Sequence, residues 1–223
     1  MRIIAGQYRR RTLLSPSDAS PARPFPDSVK EAVFNLLRGH TEGQAVLDCF
    51  AGSGAIGLEA LSRGAARCVM IERDKGTFGV LKKNIERLGI GGEAEPVLGD
   101  ALGAGALARC PRPVHLIFFD PPYAMVRDAA QWPRVTAQLS RLIGLLDDEG
   151  YAVLRTPWPF LHERDPDRPD RGSTSRFVEV PLAIEGAIGP ETHAYRSTAV
   201  HLYMREQDSE RVKQGSERNE TGV

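Results

Sequence analysis

The 223-residue sequence has no net charge, few cysteines and no long hydrophobic run. Lysine plus arginine and aspartate plus glutamate both total 29, which excludes a histone-like or a wholly acidic protein. The longest clean apolar run near the middle, Leu116–Phe119, is far too short to cross a bilayer. The start of the chain has three consecutive arginines instead of the apolar stretch of a signal peptide. The sequence therefore predicts a soluble, cytoplasmic protein without membrane contact.

The three cysteines are an odd number and lie far apart, at Cys49, Cys68 and Cys110. No C-x-x-C pair and no Cys/His cluster occurs at metal-ligand spacing, so no metal site is predicted. Such cysteines are typical of small buried side chains in a reducing compartment. A domain of this length buries roughly 70% of its unfolded surface and needs no disulfide or metal for stability.

Composition divides the chain into three regions. Residues 1–26 contain five arginines, one acid and four prolines, which predicts a basic N-terminal hairpin or short strand that continues as an extended arm. Residues 27–205 have the apolar patterning of a single globular domain. Residues 206–223 are polar and lack aromatic side chains, which predicts a disordered tail.

Within the central region, apolar runs alternate with helical patterns. The apolar runs lie at 45–50, 67–71, 96–98, 114–119 and 151–154. The helical patterns cover about 28–39, 55–63, 74–88, 101–109 and 128–146. This alternation predicts an α/β fold with a Rossmann-like, doubly wound, mostly parallel sheet. After it we expect an exposed loop at 156–175, and an antiparallel strand pair at 176–184 and 195–204.

A glycine-rich turn follows the first predicted strand. Gly52 and Gly54 let a ligand approach the backbone closely, and with Gly57 they satisfy the G-x-G-x-x-G spacing of dinucleotide sites. Glu72 ends the second strand about 20 residues further on, where its carboxylate can accept hydrogen bonds from ribose hydroxyls. These features indicate an adenosine-containing ligand at the carboxyl edge of the sheet. A helix-start turn without any ligand is the alternative.

Two further aspartates follow predicted strands. Asp48 lies four residues before Gly52, where a carboxylate suits the cationic amino-acid end of S-adenosylmethionine and would be poorly placed beside a pyrophosphate. Asp100 follows the weak third strand and suits the exocyclic amine of adenine, although a helix N-cap is an equally simple role for it. The glycine turn and these acids therefore favour S-adenosylmethionine over a dinucleotide.

The motif Asp120-Pro121-Pro122-Tyr123 follows an apolar strand. An exocyclic base amine is a poor nucleophile because its lone pair is delocalised into the ring. The Asp120 carboxylate and the Pro121 carbonyl can each accept one amine hydrogen and so orient that lone pair, while Tyr123 can stack on the base. In the alternative, Asp120 caps a helix after a rigid turn. The motif predicts Asp120, Pro121 and Tyr123 as catalytic residues.

Three consecutive arginines, Arg9, Arg10 and Arg11, stand in an otherwise neutral chain. Such a cluster can neutralise phosphates and supply affinity for nucleic acid that does not depend on base sequence. A merely solvated surface is the alternative. The residues predicted to contact the substrate are Arg9, Arg10, Arg11, Arg23, Pro122 and Tyr123.

The D-P-P-Y motif resembles that of amino-group methyltransferases that use S-adenosylmethionine, and residues 48–54 resemble their cofactor motif. More narrowly, four segments together resemble bacterial small-subunit ribosomal RNA guanine-N2 methyltransferases of the RsmD type. These segments are Met1–Gly6, Arg23-Pro24 with Asp27–Asn35, Leu58–Ala65, and Asp120–Tyr123. Phe25-Pro26 departs from the threonine-containing stretch usual in that family.

The resemblance implies a class I methyltransferase fold, S-adenosylmethionine as the cofactor, and 16S ribosomal RNA as the partner. We also expect a monomer that acts on the small ribosomal subunit or its assembly intermediate. The cofactor contacts expected from motif and resemblance together are Asp48, Phe50, Gly52, Ser53, Gly54, Glu72, Asp100 and Asp120. The expected reaction is methyl transfer to the exocyclic N2 amine of a guanine, flipped out or already unpaired.

Three other functions are compatible with the sequence. A DNA adenine-N6 methylase shares D-P-P-Y but normally has an added target-recognition segment. An NAD-dependent oxidoreductase would use G-x-G-x-x-G but leaves Asp48 and D-P-P-Y unexplained. A non-catalytic ribosome-assembly factor would keep the fold and the basic arm.

Overall fold

The computed structural model describes residues 1–16, 25–163 and 176–207, which contain six helices and nine strands. The helices are α1 (Asp27–Leu36), α2 (Gly57–Ser62), α3 (Lys75–Leu88), α4 (Ala104–Arg109), α5 (Tyr123–Arg127) and α6 (Trp132–Ile143). The strands are β1 (Ala45–Asp48), β2 (Arg67–Glu72), β3 (Ala94–Leu98), β4 (Val114–Phe119), β5 (Leu146–Pro157), β6 (Leu161–Glu163), β7 (Phe177–Glu179), β8 (Ala187–Tyr195) and β9 (Thr198–Arg205). None of the helices in these segments is long and apolar enough to span a membrane.

Seven strands form one sheet in the order β3-β2-β1-β4-β5-β9-β8. The five strands from β3 to β5 are parallel, whereas β9 pairs antiparallel with both β5 and β8. The mostly parallel sheet with a C-terminal antiparallel pair is thus confirmed. After β1 the chain adds β2 and β3 on one side of this strand, and it then adds β4 and β5 on the other side. The strand order therefore reverses between β1 and β4, and the carboxyl ends of these two strands border a crevice.

Alternate residues of the central strands face opposite sides of the sheet. Leu47 of β1 and Ile117 of β4 belong to one core cluster with Leu139 of α6. Val46 and Leu116, their neighbours in the chain, belong to a second cluster with residues of α1, α2 and α3. All six residues of β4 are buried, as expected for a strand covered by helices on both faces.

The bounds of the helix predicted over 128–146 are wrong: α6 begins later, at Trp132, and a break separates it from α5, which ends at Arg127 before the predicted range. At the break, the carboxylate of Asp128 accepts the backbone N–H of Ala130 at 2.9 Å. Pro133 then lies in the first turn of α6, where a proline does not interrupt helical hydrogen bonds. Helix α6 ends at Ile143, since the chain enters β5 shortly after.

Two predictions for the C-terminal part are also wrong. The loop expected at 156–175 begins inside β5, and its residues 161–163 form β6. The partner of β9 is β8 and not the segment 176–184, of which 177–179 pair with β6 in a separate two-stranded sheet. Strand β8 lies at the edge of the main sheet and its residues are mostly exposed, so the chain there lacks the apolar run of a buried strand.

The N-terminal residues form a hairpin. Its backbone bonds include Ile3 N–H to the Arg11 carbonyl at 3.0 Å and Leu13 N–H to the Met1 carbonyl at 3.1 Å. Ile3 and Leu13 are buried in the cluster that contains α1–α3. Arg23 and the tail from residue 208 onward lie outside the described residues.

Candidate active site

Three acidic side chains lie at the carboxyl edge of the sheet. Asp48 is the last residue of β1, Glu72 is the last residue of β2, and Asp120 directly follows β4. The charges of Asp120 and Glu72 both act on the carboxyl group of Asp48, so the three groups share one electrostatic environment. The fold therefore brings the glycine-turn motif and the D-P-P-Y motif to the same crevice.

The glycine turn is fixed to the end of β2 through Glu72. One carboxylate oxygen of Glu72 accepts the Gly52 N–H at 3.0 Å, and the other accepts the Asp74 N–H at 2.7 Å. Gly52 has φ +57°, and a Cβ atom there would face open space, so its backbone is accessible to a ligand. At Gly57 a Cβ atom would lie 2.6 Å from the Met70 sulfur, which is the close helix–strand packing expected of this glycine.

Asp48 is almost fully buried, with 2% of its surface exposed. Its Oδ2 accepts the backbone N–H of Gly57 at 2.9 Å, at the start of α2. Burial raises the pKa of Asp48 to about 7, and the nearby carboxylates of Asp120 and Glu72 add to this rise. A cation bound beside Asp48 would stabilise the ionised carboxylate against both effects, so the site suits a positively charged ligand.

Asp120 forms a bidentate ion pair with Arg155 of β5. Arg155 donates from Nε to Oδ1 at 2.6 Å and from Nη2 to Oδ2 at 2.8 Å. Burial raises the pKa of Asp120, and the guanidinium opposes this rise. Burial also disfavours the charge of Arg155, but the Asp120 carboxylate outweighs it and raises the pKa of the guanidinium. Helix α5 has Pro122 as its N-cap and no side-chain cap, so Asp120 is not a helix cap.

Tyr123 is the first residue of α5 and is held by its hydroxyl group. The hydroxyl donates to Thr198 Oγ1 at 2.6 Å, and Thr198 in turn donates to the Thr156 carbonyl at 2.9 Å. The Pro122 carbonyl accepts the Met125 N–H at 2.8 Å, which closes the first turn of α5. The ring of Tyr123 is therefore fixed beside Asp120 by contacts from β5 and β9.

Asp100 is engaged with neighbouring groups at the edge of the site. Its Oδ1 accepts the Leu102 N–H at 3.0 Å, and its Oδ2 pairs with the exposed guanidinium of Arg134 at 2.9 Å. Helix α4 begins later and has Gly103 as its N-cap, so the helix-cap role considered for Asp100 is not realised.

The arginine cluster lies at the tip of the hairpin. Arg9, Arg10 and Arg11 are exposed, and Arg10 has φ +68° in the turn. No carboxylate in the described part of the chain pairs with any of these three guanidinium groups. The cluster is thus accessible to an anionic partner.

Two buried polar side chains hold the hairpin on the domain. Glu59 of α2 accepts the N–H groups of Ile4 and Ala5 at 2.7 and 3.0 Å. Asn84 of α3 exchanges two hydrogen bonds with the backbone of Leu14 and donates a third to the Ser53 carbonyl at 2.8 Å. Asn84 therefore joins the hairpin to the glycine turn.

No motif in the sequence indicates four contributors to this site, Arg155, Thr198, Glu59 and Asn84. One signal was available for Arg155, since a charged residue directly after the apolar run 151–154 must find a partner when the strand is buried. Glu59 and Asn84 are helical residues whose long-range backbone contacts leave no pattern in the sequence.

The sheet order, the C-terminal antiparallel pair and the acidic crevice beside D-P-P-Y define a methyltransferase of the class I fold. The solved structure of yhhF from Escherichia coli, a candidate methyltransferase, has a TM-score of 0.69 to this chain at 32% identity. That similarity covers 92% of this chain and 98% of the other.

The chain belongs to the RsmD family: the family model described as Conserved hypothetical protein 95 matches residues 1–157. It is 40% identical over 151 residues to the Escherichia coli (strain K12) ribosomal RNA small subunit methyltransferase D, covering 68% of this chain and 69% of that protein. It is 31% identical over 206 residues to YlbH of Bacillus subtilis (strain 168), a candidate rRNA methyltransferase, covering 92% of this chain and 99% of that protein.

Proposed function

We propose that this protein transfers a methyl group from S-adenosylmethionine to the exocyclic N2 amine of a guanine in small-subunit ribosomal RNA. The observation that supports this most directly is the position of Asp120. A fixed carboxylate follows β4 at the crevice, beside the strand that ends in Asp48. The names of the relatives support ribosomal RNA as the substrate class. We further propose that the enzyme acts as a monomer on the small subunit or its assembly intermediate.

The acidic charge of the crevice and the open face of its glycine turn support S-adenosylmethionine as the cofactor. The open face of Gly52 leaves room for a ligand against the turn. Glu72 would accept hydrogen bonds from the ribose hydroxyls, Asp48 would face the cationic amino-acid end, and Asp100 would lie near the adenine. S-adenosylmethionine, when bound, supplies an electrophilic methyl group on its sulfonium. Asp48 would lie beside the pyrophosphate of a dinucleotide, which argues against an NAD-dependent oxidoreductase.

The catalytic work of the protein is to hold and orient the acceptor amine. Asp120 and the Pro121 carbonyl would each accept one amine hydrogen, so that the nitrogen lone pair points toward the methyl group. Tyr123, fixed through Thr198, would stack on the extruded base. Alignment of the two reacting atoms supplies most of the acceleration in such a displacement. As the nitrogen bonds to the methyl carbon, the carbon–sulfur bond breaks and S-adenosylhomocysteine is the leaving group. The amine becomes acidic only as the new bond forms, so Asp120 need not be a strong base to take up the proton that is released.

Isotope-labelled S-adenosylmethionine with nucleoside analysis of the product tests the reaction. The protein is incubated separately with small ribosomal subunits, naked 16S RNA and duplex DNA, and each product is digested to nucleosides. We expect N2-methylguanosine from the ribosomal substrates. N6-methyladenine from DNA would establish the DNA methylase instead. Cofactor binding in calorimetry without any methyl incorporation would indicate an assembly factor.

Asp120→Ala should lower turnover by about 10² or more while S-adenosylhomocysteine still binds, since one oriented polar acceptor is lost. Asp148→Ala is the matched control, because it removes an ion pair between exposed Asp148 of β5 and half-buried Arg205 of β9 at the other end of the sheet. Turnover of Asp120→Ala within a few-fold of the wild type would show that Asp120 only stabilises the turn.

A further inference from the structure

Arg155 is a buried cation beside the proposed acceptor of the amine hydrogen. Its side chain is 7% exposed, and it follows the buried residues Val153 and Leu154 on β5. A guanidinium in such a position is tolerated only when a carboxylate compensates its charge. Here Asp120 does so through two hydrogen bonds of 2.6 and 2.8 Å.

The geometry of this pair leaves Asp120 able to accept further hydrogen bonds. Each carboxylate oxygen accepts one N–H from Arg155, and an ionised carboxylate has about four acceptor sites in total. The arginine therefore fixes the plane of the carboxylate without saturating it. One acceptor site on each oxygen remains for a base amine.

Two aromatic rings fix the guanidinium in turn. Its central carbon lies 4.5 Å from the ring centre of Phe25 and 5.3 Å from that of Tyr123. Phe25 precedes α1 and is buried, while Tyr123 is locked by Thr198. The orientation of Arg155 is thus determined by Asp120 and by both rings.

We propose that Arg155 is a positioning residue that fixes the orientation of Asp120 and keeps its carboxylate ionised during methyl transfer. This inference rests on the proposed function, in which Asp120 accepts an amine hydrogen. The titratable groups around Asp120 are Arg155 on β5, Tyr123 on α5 and Asp48 at the end of β1. Arg155 is the cation among these groups, and it opposes the effect of burial on the charge of Asp120.

Arg155→Gln should therefore raise the pKa of Asp120 and move the acid limb of the kcat profile to higher pH. For an aspartate that loses an adjacent arginine, the expected shift is about 1–3 pH units. Arg155→Lys keeps the charge but loses the two-pronged geometry, so it should retain the acid limb while kcat falls about tenfold. Phe25→Leu should also lower kcat and leave the acid limb in place.

The experiment measures kcat and KM for the ribosomal substrate between pH 5.5 and 9 in the wild type and these variants. Arg205→Gln is the matched control, because Arg205 pairs with exposed Asp148 at the far end of neighbouring β9. It should keep the wild-type profile. An unshifted acid limb in Arg155→Gln would overturn the proposal, as would equal loss of kcat at every pH in Arg155→Gln and Arg155→Lys.

A second readout does not depend on activity. The carboxyl carbon of Asp120 is titrated by NMR in the protein without RNA, and its signal is assigned by its loss in Asp120→Asn. Its titration midpoint should rise in Arg155→Gln and stay near the wild-type value in Arg155→Lys.

The outcomes separate this inference from the proposed function. If no guanine is methylated but the midpoint still moves, the proposed function fails while the ion-pair effect stands. If the midpoint is unchanged, the inference about Arg155 fails by itself. Should Arg155→Gln not fold, Arg155→Lys and Phe25→Leu decide the question by their acid limbs, which must not move.

Discussion

Cofactor binding should release a proton from Asp48. Burial and the neighbouring carboxylates raise the pKa of this aspartate to about 7, so the unliganded site holds a proton at slightly acid pH. A cationic amino group beside the carboxylate favours the ionised form, and binding then expels the proton. With a pKa near 7, about nine-tenths of the sites are protonated at pH 6 and about one-tenth at pH 8. S-adenosylhomocysteine should therefore release about 0.9 proton at pH 6 and about 0.1 at pH 8.

The affinity follows from the same equilibrium. Below pH 7, each unit of acidification should weaken the binding of S-adenosylhomocysteine about tenfold. The ligand's cationic amino group binds the ionised carboxylate of Asp48, and protonation removes that form. Calorimetry in buffers of different ionisation enthalpy measures the protons released at each pH. Asp48→Asn should bind more weakly and with no such pH dependence, whereas Asp148→Asn should behave like the wild type.

The direction of the Asp48 pKa shift can be checked independently through the stability of the folded protein. An acid whose folded pKa exceeds its unfolded value of about 3.9 reduces stability as the pH rises from about 4 to about 7. Asp48→Asn should therefore raise the Tm of the unliganded protein at pH 8 relative to the wild type. Equal proton release at pH 6 and pH 8, or the same release from Asp48→Asn, would refute the placement of Asp48 against the ligand's cation.

Three further outcomes are expected. Glu72→Ala should weaken S-adenosylhomocysteine binding by about 10² or more in calorimetry, since it deletes charge-assisted hydrogen bonds of roughly 1.5–3 kcal/mol each; an unchanged Kd would exclude the ribose assignment. Replacing Arg9, Arg10 and Arg11 together by alanine should flatten the slope of log K for RNA binding against log salt concentration by about 2–3 units. The affinity for the cofactor should not change. A wild-type slope would show that the cluster is only a solvated surface. The three cysteines, all buried and with thiol pKa values raised by burial, should resist alkylation until the protein unfolds, which mass spectrometry can follow.

The parallel strands β1, β2, β4 and β5 were predictable because they are largely buried and contain continuous apolar runs, whereas the edge strand β3 is only partly buried and its apolar run is weak. Helix α3 was equally clear: Asp74 caps its start with a 2.7 Å bond to the Thr77 N–H, and Gly89 ends it with φ +69°. Strand β8 was not predictable, since an exposed edge strand gains its stability from backbone pairing with β9 and needs no apolar pattern.

The part of the candidate site that was predictable consists of residues at the carboxyl ends of the parallel strands. Asp48, Glu72 and Asp120 stand at strand ends, and parallel topology alone brings such ends to one edge. The partner of Asp120 was not predictable, because Arg155 lies 35 residues away and reaches it only through the pairing of β4 with β5. The side chain that controls the charge of a motif residue can thus lie in a segment with no motif of its own.

The hairpin shows how the proposed substrate and cofactor regions share one support. Its exposed arginines are free to follow a phosphate backbone, but its base is attached to α2 by Glu59 and to α3 by Asn84. Asn84 also binds the Ser53 carbonyl, so it fixes the hairpin and the glycine turn relative to each other. The arginine tip can therefore be altered without disturbing the turn, whereas loss of the fully buried Asn84 would loosen both at once. This difference separates an effect on RNA affinity from an effect on the folded site.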